Sequence, residues 1–257
     1  MTPLDQAHAA MQASDAEPDR LRFFERLADA ELFLLLEAEP EGEVIEPMVF
    51  DTGDAKLLVA FDREDRLTGF TGTISPYAAL SGRAIAEMIA GSGYGLGVNL
   101  DAGDGAIVMP AEAMDWLHET LSDLPQAIEE RPLEIAAPKG LPEVLLQALD
   151  TKLALAEGLA SAAFLVSVIY APARPGHLLA FIGATPHAED ALAKAVSEAL
   201  VFSGLEAGEL DVAFFSPDDP IVERLAKVGL RFDLPEPVAA LHPIAPGSNP
   251  DKPPKLK

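Results

Sequence analysis

The sequence predicts an α+β protein with two mixed α/β domains, each a small sheet with helices packed against it. In both halves of the 257-residue chain, short strand-like runs alternate with stretches of helical periodicity. A segment with two prolines and a glycine, residues 130–140, separates the halves. Hydrophobic residues make up 49% of the chain, which is enough for two cores. Ala, Leu, Val and Ile must fill most of these cores, because only 6% of residues are aromatic.

The first half is predicted to mix helices and strands. Apolar residues three and four positions apart indicate two helices near the N-terminus, over residues 4–11 and 21–28. Ser81 is a suitable N-cap for a third helix, and Gly91 suits the left-handed residue at its C-terminal end. Pro110 opens a fourth helix. The predicted strands of this half cover residues 31–37, 48–51, 56–62, 94–100 and 106–109, with a turn at 52–54 between the second and third.

The second half predicts elements in the order α-β-β-α-β-α. Leu145, Leu149 and Leu153 recur at every fourth position and mark its first helix. Thr185 and Pro186 form a good N-cap and first residue for its second helix. This order is typical of a small antiparallel or mixed sheet with helices packed on one side. The elements are expected at residues 141–157 (helix), 162–170, 177–183 and 209–215 (strands), and after 216–219 (last helix).

The domain boundary is expected between Pro132 and Pro138. Prolines lack a backbone donor and favour extended neighbours, so this segment is predicted to be a linker or a sheet edge. The domains are then expected to cover residues 15–130 and 138–236. The tail, 243–257, is rich in Pro and Lys and has almost nothing to bury, which predicts disorder.

The charge of the chain excludes several classes of partner. The formal net charge is −24, with −19 in residues 1–130 and −5 in residues 131–257. No nucleic-acid partner is expected, because such binding depends on Lys and Arg that neutralise phosphates. No membrane partner is expected either, since anionic lipids repel an acidic surface. The N-terminus lacks a basic and an apolar signal region, and the apolar runs are far shorter than a membrane span. We therefore expect a soluble cytoplasmic protein.

No catalytic, metal or cofactor site is predicted from motifs. The chain has no cysteine, which excludes disulfides, thiolate metal sites and cysteine nucleophiles. The glycine-rich stretch 91–97 matches neither a dinucleotide fingerprint nor a P-loop, and it follows a helix instead of opening one. It indicates a helix end that enters a tightly packed strand. His118 lies beside Met114 and Leu121 on a predicted helix, so a partly buried structural histidine is favoured over a catalytic base.

Arg83 is the most informative charged residue. It is the only basic residue between Arg66 and Arg131, in a half with a large excess of acid. In the first turn of a helix, it could form an ion pair with a nearby carboxylate or hold an anionic ligand. The ion pair is the favoured interpretation. The second hypothesis is that Arg83 supports an exposed contact with a carboxylate of a partner.

Three segments of the first half, 81–90, 93–100 and 108–110, resemble the N-terminal domain of SseB-like proteins. These are bacterial proteins named for enhanced serine sensitivity. In that family a glycine-containing helix leads to a strand with an asparagine, and a short strand then ends in proline at the start of a helix. The resemblance covers residues 20–121, and the second half is similar in element order to the C-terminal domain often found behind it. The resemblance implies no catalytic residues, and the name of the family describes a phenotype and not a reaction.

Two classes of function follow from these observations. The first is a non-enzymatic cytoplasmic interaction or regulatory protein with an unknown protein partner, for which homo-oligomerisation stays open. The alternative is a binding or sensing domain for an amino acid or another small metabolite. Its site would comprise Arg83, Gly93, Gly95 and Asn99, with the ligand carboxylate held by Arg83 and nearby backbone amides. A pocket lined by Arg83 and Asn99 would favour the second class, and an exposed apolar patch the first. An unrecognised hydrolase or transferase is a third possibility.

Overall fold

The computed structural model describes residues 1–14, 16–40, 42, 44–100, 105–123, 132–204 and 210–235. This part of the chain contains eight helices and eleven strands, and the strands form two mixed sheets. The predicted α+β class with two sheet-containing regions is confirmed. Four of these elements were not predicted as such from the sequence: the helix Glu64–Thr71 and the strands Tyr77–Ser81, Glu134–Ala136 and Leu230–Asp233.

The helices and strands have the following bounds. The helices are α1 (Pro3–Ala13), α2 (Glu17–Asp29), α3 (Glu64–Thr71), α4 (Gly82–Ile89), α5 (Ala111–Ser122), α6 (Glu143–Ala154), α7 (Glu189–Phe202) and α8 (Ile221–Val228). The strands are β1 (Glu31–Leu35), β2 (Val49–Asp51), β3 (Lys56–Phe61), β4 (Tyr77–Ser81), β5 (Tyr94–Val98), β6 (Ile107–Met109), β7 (Glu134–Ala136), β8 (Ala162–Tyr170), β9 (Arg174–Ile182), β10 (Leu210–Phe215) and β11 (Leu230–Asp233).

The first sheet has the strand order β4-β1-β3-β5-β6, with β2 also paired to β3. The pairing of β3 with β5 is parallel and the other pairings are antiparallel. Alternate side chains face opposite sides of the sheet. Leu34 and Leu58 therefore pack with α1, α2, α4 and α5 on one face. Val59 and Phe61 pack with Leu67 of α3 on the other face.

The second sheet has the order β10-β9-β8-β11, with β7 also paired to β8. Helices α6 and α7 cover one face and α8 covers the other, so the prediction of helices on one side is wrong. Both faces of the central hairpin are apolar, which explains the difference. Leu165 and Leu179 face α6 and α7, whereas Val166 and Leu178 face α8.

The structure also bears on the predicted boundaries. Helix α7 begins at Glu189 instead of following Thr185, because residues 185–188 form a turn closed by a bond from the Ala188 amide to the Thr185 carbonyl. The start of the first domain at residue 15 stays a prediction. Leu4 and Ala7 of α1, ahead of that start, pack in the first core. The predicted disordered tail, 243–257, lies outside the described residues.

The helical layers of the two halves face each other. Phe202, at the end of α7, is buried in the core of the first half. Its ring lies 6.4 Å from that of Trp116 on α5. Arg26 on α2 donates to the Thr151 hydroxyl on α6, at 2.9 Å. Helices α2 and α5 of the first half and α6 and α7 of the second thus lie between the two sheets. Any charged side chain in this layer must be paired or incur a desolvation cost.

Candidate functional site

A hydrogen bond at the start of α4 places Arg83 at the contact between the halves. The Ser81 hydroxyl accepts from the Ala84 amide, as the sequence predicted for an N-cap. The guanidinium then reaches α7, where Nη1 and Nη2 donate to the two carboxylate oxygens of Glu198 at 3.0 and 3.1 Å. Nη2 also donates to Asp29 on α2, at 2.6 Å.

Lys152 on α6 completes this arrangement. Its ammonium donates to Asp29 at 2.6 Å and to Glu198 at 2.9 Å. We call the four residues Asp29, Arg83, Lys152 and Glu198 the interdomain cluster. Burial opposes ionisation of Glu198, but the hydrogen bonds and charges of Arg83 and Lys152 outweigh it and lower the pKa of that carboxyl. Two carboxylates and two cations therefore hold α2 and α4 against α6 and α7.

The ion pair favoured for Arg83 is what the structure shows. The described polar contacts of its guanidinium all go to carboxylates of the same chain. The side chain is 37% exposed, so only its outer part meets solvent. The second hypothesis, a contact of Arg83 with a partner, stays a prediction.

The other three predicted binding residues occupy separate places. Gly93 has a φ of 76° in the turn after α4, at the end of that helix away from Arg83. An eight-residue helix is about 12 Å long. Gly95 is buried in β5, where a Cβ would collide with the Met109 carbonyl. Asn99 is buried in the left-handed region, with a φ of 54°, and its side-chain oxygen accepts from the Asp62 amide at 3.1 Å. In the structure, Gly95 allows close packing of β5, and Asn99 forms a hydrogen bond within the first half.

Glu25 lies close to the interdomain cluster, one turn before Asp29 on α2. It is 3% exposed, and its Oε1 has no hydrogen-bond partner among the described residues. Burial raises the pKa of this carboxyl above its ordinary value, although the charges of Lys152 and Arg26 partly oppose the shift. An ionised Glu25 would give this region a third carboxylate against the two cations of the cluster.

Replacing Glu25 with glutamine is therefore expected to stabilise the protein at pH 8, by about 1 kcal/mol, because the unpaired charge is removed. The folded state holds the Glu25 proton more tightly than the unfolded state. The contribution of this proton to stability is thus fully present below the ordinary carboxyl pKa and is lost as pH rises through the raised pKa of the folded state. Urea unfolding between about pH 5 and 8 should show the advantage of the Glu25→Gln chain growing with pH. Glu17→Gln, at an exposed position on the same helix, is the control. A pH-independent difference would contradict the expectation.

A second feature is the exposed apolar edge formed by β4 and the loop before it. Strand β4 ends the first sheet and pairs only with β1 in the described part of the chain. Ile74 is 98% exposed and Tyr77 is 38% exposed. The Tyr77 ring packs edge-on against Phe33 at 5.3 Å, and its hydroxyl donates to Glu64 at 2.6 Å. This hydrogen bond, together with the negative charges of Glu64 and Glu31, raises the pKa of Tyr77.

Two cavities of about 460 and 410 Å³ lie in the second half. Neither is lined by Arg83, Gly93, Gly95 or Asn99. Lys139 borders both, and its amide donates to the Ser167 hydroxyl at 3.2 Å. The His177 Nε2 donates to the Lys139 carbonyl at 3.0 Å. The larger cavity thus combines polar groups with an apolar wall that includes Ile169 and Pro175.

Neither the exposed edge at β4 nor the two cavities were predicted from the sequence. The edge at β4 depends on a strand that was not predicted, and its available signal was the uncharged run between Pro76 and Ser81. The larger cavity is lined by Glu134 and Ala136 of β7, a segment whose sequence indicated only a linker or a sheet edge. His177, which borders the larger cavity, is half-buried beside Lys139.

The fold defines an α+β protein with two sheets and a helical layer between them. Residues 4–116 match the family model of the SseB protein N-terminal domain. This match confirms the resemblance predicted for the first half of the chain. The assignment of the second half to the family's C-terminal domain stays a prediction. No curated protein and no solved structure matches the chain. Among the described helices, none has the length and apolarity that crossing a bilayer requires.

Proposed function

We propose that this protein is a non-enzymatic interaction protein that binds a protein partner through the edge of its first sheet. The observation that carries the proposal is the exposure of apolar side chains there. Ile74 is almost fully exposed beside Tyr77 and the half-buried Phe33. A cluster of exposed apolar groups with a polar rim is typical of a contact surface for another protein.

The position of this edge supports the proposal. Strand β4 leads directly into α4, whose Arg83 belongs to the interdomain cluster. The other side of β4, with Ala78 and Leu80, packs on the first core. A partner bound at β4 would therefore contact an element that is anchored both to the core and, through α4, to the second half.

Replacing Ile74 with aspartate is expected to abolish capture of the partner while changing the free energy of unfolding by less than about 0.5 kcal/mol, because the side chain has almost no contacts to lose. The measurement is quantitative mass spectrometry of proteins retained by the full-length chain from an extract of its own cells. Each retained protein is then purified and titrated against the chain by calorimetry, so that direct binding is established.

The matched control is Leu155→Asp, which changes an exposed apolar residue of the second half, at 64% exposure. The control should bind the purified partner with the same affinity as the unmodified chain. If the Ile74→Asp chain binds the partner equally well, or no retained protein binds directly when purified, the proposal is wrong.

The larger cavity favours a second candidate function, the binding of a small metabolite. Its volume of about 460 Å³ suits a small ligand, and Lys139 offers a positive charge beside Ser167 and His177. An amino acid could pair its carboxylate with Lys139 and place an apolar side chain against Ile169. In a thermal-shift screen of free amino acids, stabilisation that Lys139→Met removes would support this candidate.

A further inference from the structure

We propose that the free edge of β4 accepts an extended, basic segment of the partner as an added strand of the first sheet. This inference rests on the proposed function and specifies how the partner binds. The backbone of β4, the side chains around it and the charge of this half each favour the addition of such a strand. Addition of a strand to a sheet edge is an established mode of peptide recognition.

Hydrogen bonds at the two ends of β4 fix which backbone groups face β1. The Leu36 amide donates to the Pro76 carbonyl at 3.0 Å, and the Gly82 amide donates to the Ala30 carbonyl at 3.0 Å. Both bonds lie in the register of the β1–β4 ladder. Hydrogen-bonded and non-hydrogen-bonded pairs alternate along an antiparallel ladder. The even-numbered residues of β4 therefore bond to β1.

The odd-numbered residues of β4 direct their backbone groups away from the sheet. The amides of Tyr77, Ala79 and Ser81 face the free edge, together with the carbonyls of Tyr77 and Ala79. An added strand could bond to these groups without breaking any bond to β1. Each such bond is made by main-chain atoms. Any partner segment that can adopt an extended conformation can therefore form it, whatever its sequence.

The edge of β4 also lacks the features that usually protect sheet edges. Its five residues contain no charge and no proline, and all five keep an unbroken register with β1. Edge strands are commonly protected by charged residues, proline or bulges. By comparison, the edge strand β10 carries Asp211, and β6 has only three residues before Pro110. Among these edges, β4 is the best suited to accept a strand.

The charges around this edge specify the occupant. Glu64 accepts from the Tyr77 hydroxyl, and Glu31 lies opposite Ser81 on the neighbouring strand. The first half carries a net charge of −19. A segment with Lys or Arg at alternate positions would place cations near both carboxylates, at the spacing of a strand.

Two other occupants fit less well. A second copy of the chain would bring Glu31 and Glu64 close to their counterparts in two proteins of net charge −24. The chain's own tail, 243–257, is basic at its end but contains five prolines. Proline cannot donate to a ladder, so this tail is a poor strand. A basic segment of a partner is thus the occupant that the charges favour.

The test uses the full-length chain and a dye-labelled, end-blocked nine-residue peptide of alternating lysine and valine. Fluorescence anisotropy should show binding that weakens at least tenfold for Ala79→Pro, which removes an outward amide but no bond to β1. Ala79→Val keeps the amide and should bind as the unmodified chain does. Glu31→Gln combined with Glu64→Gln should weaken binding several-fold. A glutamate–valine peptide should not bind.

A second measurement covers the case in which the proline variant does not fold. The lysine–valine peptide is methylated on its lysine amides, on its valine amides, or on all of its inner amides. Each of the first two peptides keeps one edge that can pair with a strand, whereas the third keeps none. Binding that at least one of the first two peptides keeps and the third loses supports strand addition. Undiminished binding of the fully methylated peptide overturns it, as does equal binding of Ala79→Pro and Ala79→Val when both fold.

The outcomes separate this inference from the proposed function. If Ile74→Asp loses the purified partner but the folded Ala79→Pro chain retains it, the partner binds this surface without adding a strand, and only the inference fails. If neither variant affects partner binding, the proposed function fails as well. A concentration-dependent dimer in sedimentation that Ala79→Pro abolishes would identify a second copy as the occupant and overturn the inference.

Discussion

Replacing Lys152 with alanine is expected to lower the free energy of unfolding by about 3–5 kcal/mol, the usual cost of removing one partner from a buried ion pair. Lys152 is 4% exposed and contacts both carboxylates of the interdomain cluster. Without it, Asp29 and Glu198 would share Arg83 alone, in a region where Glu25 is also buried. Urea unfolding of the full-length chain at pH 7 measures the loss.

The matched control is Lys227→Ala, at an exposed position on α8, which should change stability by less than about 0.5 kcal/mol. Lys152→Met combined with Glu198→Gln removes one charge of each sign and should cost less than the sum of the two single changes. If Lys152→Ala costs no more than the control, the cluster does not hold the halves together.

Arg83 can be compared with Lys152 in the same experiment. If the guanidinium served mainly an exposed contact with a partner, Arg83→Ala would cost less than about 1 kcal/mol. Its two-oxygen contact with Glu198 and its bond to Asp29 lead us to expect a larger loss. The loss should stay below that of Lys152→Ala, because the Arg83 side chain is 37% exposed and Lys152 is buried.

Replacing Gly82 with alanine is expected to have an effect of similar or larger size. Gly82 is the first residue of α4, and a Cβ there would overlap the backbone carbonyl of Leu27 in α2. A backbone atom of a packed helix cannot turn aside as a side chain can, so α4 would have to move away from α2. Such a shift would also disturb Arg83. We expect a loss of more than about 3 kcal/mol, or failure to fold.

The control for Gly82 is the same substitution at Gly69 in α3. Nothing lies within 4 Å of a Cβ built there. Since alanine has a higher helix propensity than glycine, Gly69→Ala should raise the free energy of unfolding by about 0.5–1 kcal/mol. Circular dichroism and urea unfolding of the two variants give the comparison. A Gly82→Ala chain as stable as the unmodified protein would show that α4 can leave α2 at little cost.

Much of the fold could be predicted from the sequence because many elements carry a local signal. The apolar run within residues 31–37 predicted β1, and the N-cap at Ser81 predicted the start of α4. The glycine-rich stretch 91–97 predicted a left-handed helix end followed by a closely packed strand. The structure has both, since Gly91 has a positive φ and a Cβ at Gly95 would collide with the Met109 carbonyl. These features depend on residues close together in the chain, where spacing alone determines the geometry.

The elements that escaped prediction have weak local signals. Strand β4 contains two alanines and no β-branched residue, so its strand conformation comes from pairing with β1 and not from intrinsic propensity. Helix α3 contains Gly69 and two threonines, which favour a helix only weakly. It is held by the packing of Leu67 and Phe70 against the first sheet.

For the candidate site, the sequence by itself determined that Arg83 is an isolated cation in a strongly acidic half, which indicated an ion pair. Only the tertiary structure decided the partners. Glu198 lies 115 positions from Arg83, and Asp29 lies 123 positions from Lys152. No periodicity relates residues at such distances, because their contact arises from the packing of two helical layers. The free edge of β4 likewise exists only once the order of strands in the sheet is set.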